Sequence, residues 1–180
     1  MVRPMRDVDV RTVGSGGTGV TNVLRAAGKR AAAAVFVADG GKGLAIAIAA
    51  RLLSDDANLH ALAAAAVIAG HVWPVLARFR GGRGMATGFG AALGLDLWPG
   101  VVGLAGFVPV VALARYVALG SVVAVLLGVG AFAIRAAFFG APLAYVWFAI
   151  AGGALIIAMH RENIRRLLRG QERRLGQPAA

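Results

Sequence analysis

Cysteine is absent from all 180 residues, so disulfides, thiolate chemistry and cysteine-held metals are excluded, and the redox state of the compartment leaves no mark on the sequence. Acids are scarce too: eight stand against nineteen lysines and arginines, and only Lys29 and Lys42 among the nineteen are lysines. A net charge of +11 invites a nucleic-acid partner. The arginines cluster instead at the ends of apolar segments, where they orient a membrane protein and meet anionic headgroups, so no nucleic acid is expected. The first residues carry no hydrophobic region of signal-peptide type. No linker is long enough to divide the chain, and 1–180 reads as a single membrane domain with a basic tail over 160–180.

Apolar surface is what the chain has in excess. Hydrophobic residues make up 59% of it and the mean hydropathy is +0.75, more than the core of a soluble domain of this size can hide. Apolar segments run over 31–53, 59–77, 85–97, 98–114, 119–134 and 138–159. Several fall short of the ~20 residues that a perpendicular span needs, so tilted, short or re-entrant helices are expected. Charge fixes their number. One span over 85–114 would place the arginine-rich tail on the face opposite Arg80 and Arg83, whereas a break near Trp98-Pro99-Gly100 restores parity. Sixteen of the nineteen basic side chains then share one face, Arg51 and Arg135 fall outside it, and Lys42 lies within the first span. The expected fold is all-α: a polytopic membrane helical bundle of six membrane segments, both ends cytoplasmic, packed closely through Ala and Gly.

Three segments on that face are candidates for one site. Gly14-Ser15-Gly16-Gly17-Thr18-Gly19-Val20-Thr21-Asn22, followed by Arg25, offers hydroxyls, open amides and a cation at the start of a helix, an anion-binding arrangement. It is neither a P-loop nor a dinucleotide fingerprint, since no Gly-Lys-Ser/Thr ending follows and no strand precedes it, and a flexible linker is the competing reading. Phe79-Arg80-Gly81-Gly82-Arg83-Gly84-Met85-Ala86-Thr87 combines guanidiniums with glycines that permit close backbone approach to a phosphate; a positive-inside topology signal is the alternative. His71, three residues before Pro74, is placed to bond a carbonyl freed by the proline. His160 and Asn163 share a helix face at i, i+3, with His160 expected to face water, while Arg165, Arg166 and Arg169 suit a helix lying on anionic lipid. Asp39 and Lys42, also at i, i+3, are expected to pair within the first span. Arg115 reads as a topology anchor. A transporter of phosphorylated solutes would want similar residues but should repeat its halves or line successive spans; a catalytically silent scaffold is the other alternative.

Taken in order, Gly14-Ser15-Gly16…Gly19…Thr21-Asn22…Arg25, Asp39…Lys42-Gly43, Gly70-His71…Pro74…Phe79-Arg80-Gly81-Gly82-Arg83-Gly84…Ala86-Thr87, Arg115-Tyr116-Val117…Leu119…Ser121 and His160-Arg161-Glu162-Asn163-Ile164…Arg166-Leu167…Gly170…Glu172 resemble PlsY, the bacterial acyl-phosphate:glycerol-3-phosphate acyltransferase family, over nearly the whole chain. The resemblance implies a multi-pass protein of the bacterial inner membrane, its site facing the cytoplasm. It implies transfer of a fatty acyl group from acyl phosphate to the sn-1 hydroxyl of glycerol 3-phosphate, giving lysophosphatidic acid and phosphate, the first step of phospholipid synthesis. The six segments correspond to a seven-span fold without its first helix. Gly17 stands where the family has an asparagine, Arg80 and Arg83 where it has lysines, and Ala118 where it has a serine.

The implied catalytic residues are Ser15, Arg25, Arg83, His160 and Asn163. Gly16, Gly19, Thr21, Asn22, Lys42, Arg80, Gly81, Gly82, Gly84 and Thr87 are implied to bind substrate. Implied partners are acyl phosphate, glycerol 3-phosphate, membrane lipids and the soluble enzyme that forms acyl phosphate; no cofactor or metal is implied. The chemistry agrees, because two phosphorylated anions call for amides and guanidiniums. The His-x-x-x-x-Asp pairing of many CoA-dependent acyltransferases does not occur after His60, His71 or His160.

Overall fold

The structure, a computed structural model, describes residues 17–177; Ser15 and Gly16 lie outside the described residues. Among the described residues are eight α-helices, one 3-10 turn and no strand: α1 (Val20–Ala27), α2 (Lys29–Leu53), α3 (Ala57–Val72), the turn Val75–Ala77, α4 (Met85–Leu95), α5 (Leu97–Ala114), α6 (Val117–Phe139), α7 (Leu143–Met159) and α8 (Arg161–Leu168). The six expected apolar segments reappear in order as α2 to α7. Lys29–Leu53, Ala57–Ala77, Leu97–Ala114 and Val117–Phe139 are long and apolar enough to cross a bilayer. Helix α7 continues into α8 through a bend of 61°, and α4 is an apolar helix too short to cross.

Two boundaries differ from the expected ones, both for electrostatic reasons. The break between α4 and α5 falls at Asp96, ahead of Trp98-Pro99-Gly100. Asp96 caps α5 by accepting from the Trp98 amide (3.1 Å), and its other carboxylate oxygen accepts from Arg135 Nε at 2.8 Å. Arg135 therefore lies inside α6, which runs on to Gly140 (φ 68°) with Pro142 just beyond. Arg51 closes the end of α4 by donating to the Gly94 carbonyl at 3.0 Å. The two arginines that fell off the basic face thus satisfy a carboxylate and a helix C-terminus at the opposite end of the bundle.

Small residues set the packing. The core joins Ala47, Ala61, Ala64, Ala91 and Ala149 to Ile68, Phe132, Phe148 and Ile156. Helices α2 and α4 run side by side with backbone nearly touching backbone: a Cβ on Gly43 would strike the Thr87 carbonyl oxygen, and one on Gly90 the Gly40 carbonyl oxygen. In lipid, association depends on such approach, since apolar side chains gain nothing by leaving an apolar solvent. Gly90→Ala is expected to destabilise the bundle by about 1–3 kcal/mol or more, as overpacking against backbone does. Gly130→Ala, with nothing within 4 Å of the new carbon, should stay within about 0.5 kcal/mol; thermal unfolding in detergent reads both.

Candidate active site

Short polar elements gather at the basic end of the bundle. Helix α1 starts after Gly19 and α4 after Gly84 (φ 82°), and neither has a side-chain cap on its first amides. Uncapped N-termini present N–H donors and the positive end of the helix dipole to an anion. The loops that feed them lie close together, since a Cβ on Gly19 would come to 4.0 Å from the Gly82 Cα. Asn22 is buried and donates Nδ2 to the Gly17 carbonyl at 2.9 Å, folding the first loop over α1. Arg78 (φ 53°) and Phe79 (φ 61°) turn the second loop sharply after α3. That loop is fixed where the Gly82 amide donates to the His71 carbonyl at 3.3 Å. A side chain at Gly82 would collide with the His71 ring, so only glycine fits there.

The His71 side chain does not bond a carbonyl freed by Pro74. Its Nδ1 lies 2.6 Å from Lys42 Nζ and 3.2 Å from Asp39 Oδ1, and Lys42 and Asp39 pair at 2.6 Å. An ion pair inside a span needs compensating contacts, and His71 supplies one while holding the glycine loop. The three residues line an open cleft with Thr18, Gly70 and Pro74.

His160 is buried, 2% exposed, and not turned to water as expected. The bend between α7 and α8 draws it beneath α8, where its Nδ1 lies 2.8 Å from the Ile156 carbonyl. A carbonyl only accepts, so Nδ1 carries the proton and Nε2 keeps its lone pair. Burial, with Arg83 nearby, pushes its pKa down to about 4, although the bond to Ile156 opposes the shift. The ring is neutral at pH 7. Asn163 is buried one turn on and donates Nδ2 to Glu172 Oε1 at 2.7 Å, while Arg166 Nε donates to Glu172 Oε2 at 2.9 Å. Burial weakens the hold of Arg83 on its proton; Glu172 opposes this, and the guanidiniums of Arg166 and Arg25 add to it. Arg25 responds likewise to burial and to Arg173, Glu172 and Arg166. The Glu172 carboxylate therefore faces the three guanidiniums of Arg25, Arg83 and Arg166, with Arg173 close to Arg25. Among the described residues, buried Arg25 Nε and Thr87 Oγ1 have no hydrogen-bond partner. Surplus positive charge with unfilled donors is what a site for anions requires. Below it a narrow apolar groove lined by Met85, Gly88, Phe89, Phe148, Gly152 and Ile156 enters the bundle.

The family model for glycerol-3-phosphate acyltransferase matches residues 1–170. The chain belongs to that family. A glycerol-3-phosphate acyltransferase of Rubrobacter xylanophilus is 46% identical over 170 residues, covering 94% of this chain and 83% of the relative. One of a Synechococcus strain is 40% identical over 176 residues, covering 97% and 86%. The fold matches the crystal structure of PlsY, an integral membrane glycerol 3-phosphate acyltransferase, in its glycerol 3-phosphate form, with TM-score 0.85, 37% identity, and 94% of this chain and 84% of that one covered. The lysophosphatidic acid form matches with TM-score 0.80 at 36% identity.

Within this acyltransferase fold, the described expected residues fall into two neighbouring groups. Arg25, Arg83, His160 and Asn163 converge on Glu172, with Gly84 following Arg83 at the α4 start, while Thr87 packs against Gly43 of α2. Gly19, Gly81, Gly82 and Lys42 gather about His71, with Thr21 and Asn22 on α1 alongside. Arg80 is exposed, and its side chain makes no hydrogen bond or ion pair among the described residues; only its amide is held, donating to the Ala77 carbonyl at 3.1 Å. Three residues were not expected. Arg166 was assigned to lipid and faces Glu172; the i, i+3 stripe His160, Asn163, Arg166 carried that signal. Glu172 and His71 carried none that spacing reveals. Arg165 does face outward, pairing with Glu162 at 3.1 Å.

Proposed function

We propose that this chain transfers a fatty acyl group from acyl phosphate to the sn-1 hydroxyl of glycerol 3-phosphate at the cytoplasmic face of the bacterial inner membrane. The arrangement that carries the reading is the guanidinium cluster of Arg25, Arg83 and Arg166 beside the open start of α4, above an apolar groove. Two phosphates meet the cations and amides, and the acyl chain lies along the groove. The hydroxyl oxygen bonds to the acyl carbon while the bond from that carbon to the phosphate oxygen breaks. Inorganic phosphate leaves with the electron pair. His160 Nε2 accepts a hydrogen bond from the attacking hydroxyl and aims it; a ring with so low a pKa is a poor proton store, so the proton passes to a phosphate oxygen. Asn163 and Arg166 hold the acceptor. Ser15, Gly16, Gly19, Thr21 and Asn22 hold the donor phosphate, and Lys42, Arg80, Gly81 and Gly82 supply further charge and amides to the substrates. Amides and guanidiniums aimed at developing charge act without reorganisation.

Purified protein should release phosphate and form lysophosphatidic acid from acyl phosphate and glycerol 3-phosphate, in chelator, and should fail with acyl-CoA. Efficient turnover with acyl-CoA alone, or phosphate release without glycerolipid product, would overturn the assignment. Orientation has its own check. Single cysteines at Gln171 and Arg80 should label from the cytoplasmic side and one at Asn58 from the other; labelling of all three from one side would refute the topology.

A further inference from the structure

Glu172 is the hub of the acceptor side of the site, yet it belongs to no helix. The segment carrying it leaves α8 where the Gln171 amide donates to the Arg166 carbonyl at 2.8 Å. It is next fixed at Leu175, and the anchor there is a residue of another element. The Leu175 amide donates to the Arg115 carbonyl at 2.6 Å. In return the Arg115 guanidinium donates to the Leu175 carbonyl through Nη2 at 2.7 Å and Nε at 3.2 Å. Arg115 ends α5 in a left-handed conformation, φ 62°, which turns its carbonyl and side chain toward the same strand of chain. Beside this clasp Arg174 lies over the Tyr116 ring, 5.5 Å from its centroid, and donates Nε to the Tyr116 hydroxyl at 3.4 Å.

We propose that Arg115 is a positioning residue for glycerol 3-phosphate, acting through the Leu175 clasp and Glu172. The proposal rests on the reading above for the identity of the ligand. Its logic is mechanical. The backbone carrying Glu172 is anchored at Gln171 and again at Leu175, with the Arg174 side chain on Tyr116 beside the second anchor, and its two oxygens fix the amide of Asn163 and the guanidinium plane of Arg166. With Nδ2 turned to Glu172, Asn163 offers its carbonyl oxygen to a hydroxyl; with Nε turned to Glu172, Arg166 offers its terminal amino groups to a phosphate. Two hydrogen bonds from a planar guanidinium to one carbonyl define a direction that a flexible ammonium does not. Without them Glu172 swings away, and the two acceptor-binding groups lose their orientation while donor-binding groups on α1 and α4 keep theirs.

The test is steady-state kinetics of the full chain in vesicles. Arg115→Ala should raise KM for glycerol 3-phosphate about tenfold, with KM for acyl phosphate within about twofold and kcat nearly unchanged, the pattern of lost ground-state binding for one substrate. Arg115→Lys should recover part of the loss. Leu175→Pro, which removes the reciprocal amide, should act alike, and the double variant should be no worse than either single one, because both break one clasp. Unchanged KM for glycerol 3-phosphate, equal rises for both substrates, or additive effects in the double variant would overturn the proposal. Calorimetric titration of glycerol 3-phosphate into wild type and Arg115→Ala needs no turnover. An inactive wild type that still binds it would sink the transferase reading, and this comparison would still decide whether Arg115 positions the ligand.

Discussion

Replacing His160 with asparagine should lower acyl transfer by about 10²-fold or more, the usual cost of removing one group that contacts developing charge, and leave the bundle as stable as before. The separation depends on the two ring nitrogens having different duties. Nδ1 donates to the Ile156 carbonyl, and an asparagine amide can reproduce that bond; nothing in asparagine reproduces the Nε2 lone pair. His160→Ala is the less clean change, since it empties a buried position and should cost about 1–3 kcal/mol besides the rate. Acid titration gives a second readout. His160 has a folded pKa of about 4 against 6.5 when exposed, so folding favours the neutral ring. Its contribution is fully present above pH 6.5 and is lost as pH falls toward about 4, on the order of 3 kcal/mol in all. The asparagine variant should lack this part of the acid sensitivity; equal acid profiles would show that the ring is not held neutral.

Arg25→Met should abolish turnover, by about 10²-fold at least, and leave thermal stability equal to wild type or higher. Both halves follow from one observation. The Arg25 guanidinium is partly buried and lies near Arg173 and Arg166, a setting that disfavours its charge despite Glu172, and its Nε has no partner among the described residues. A group kept charged against its surroundings, with a donor unfilled, lowers stability in the free protein and gains only when an anion arrives. Arg25→Lys should restore little, because it retains charge without the planar donors. A stability loss in Arg25→Met with activity preserved would make Arg25 a structural cation and remove it from the site.

Periodicity and charge made the helix order legible in the sequence, and the corrections are informative in the same terms. Arg135 reads in the sequence only as a cation off the basic face, and nothing local ties it to Asp96; the fold shows that the two neutralise each other across α5 and α6. The stripe His160, Asn163, Arg166 could be read from i, i+3 spacing, but the direction it faces could not, because the 61° bend that buries it is a tertiary feature. His71 contacts Lys42 across 29 positions and Arg115 contacts Leu175 across 60. No local rule connects residues that distant, so the supporting contacts of the site were hidden even where its central residues were recognisable by family pattern.

The register of α4 against α2 has a kinetic consequence. Gly90 meets Gly40, so the short helix and the glycine loop above it lie roughly 15 Å along the α2 axis from Lys29, at 1.5 Å per residue. On the proposed reading the reacting groups therefore sit sunk below the start of the first long helix. On that reading a donor with a fatty tail should reach them by sliding sideways within the leaflet, and a lipid product should depart the same way, whereas a small water-soluble acceptor descends from above. Turnover should then follow the mole fraction of donor among the surrounding lipids, falling as inert lipid dilutes it in the plane even when its bulk concentration is held constant.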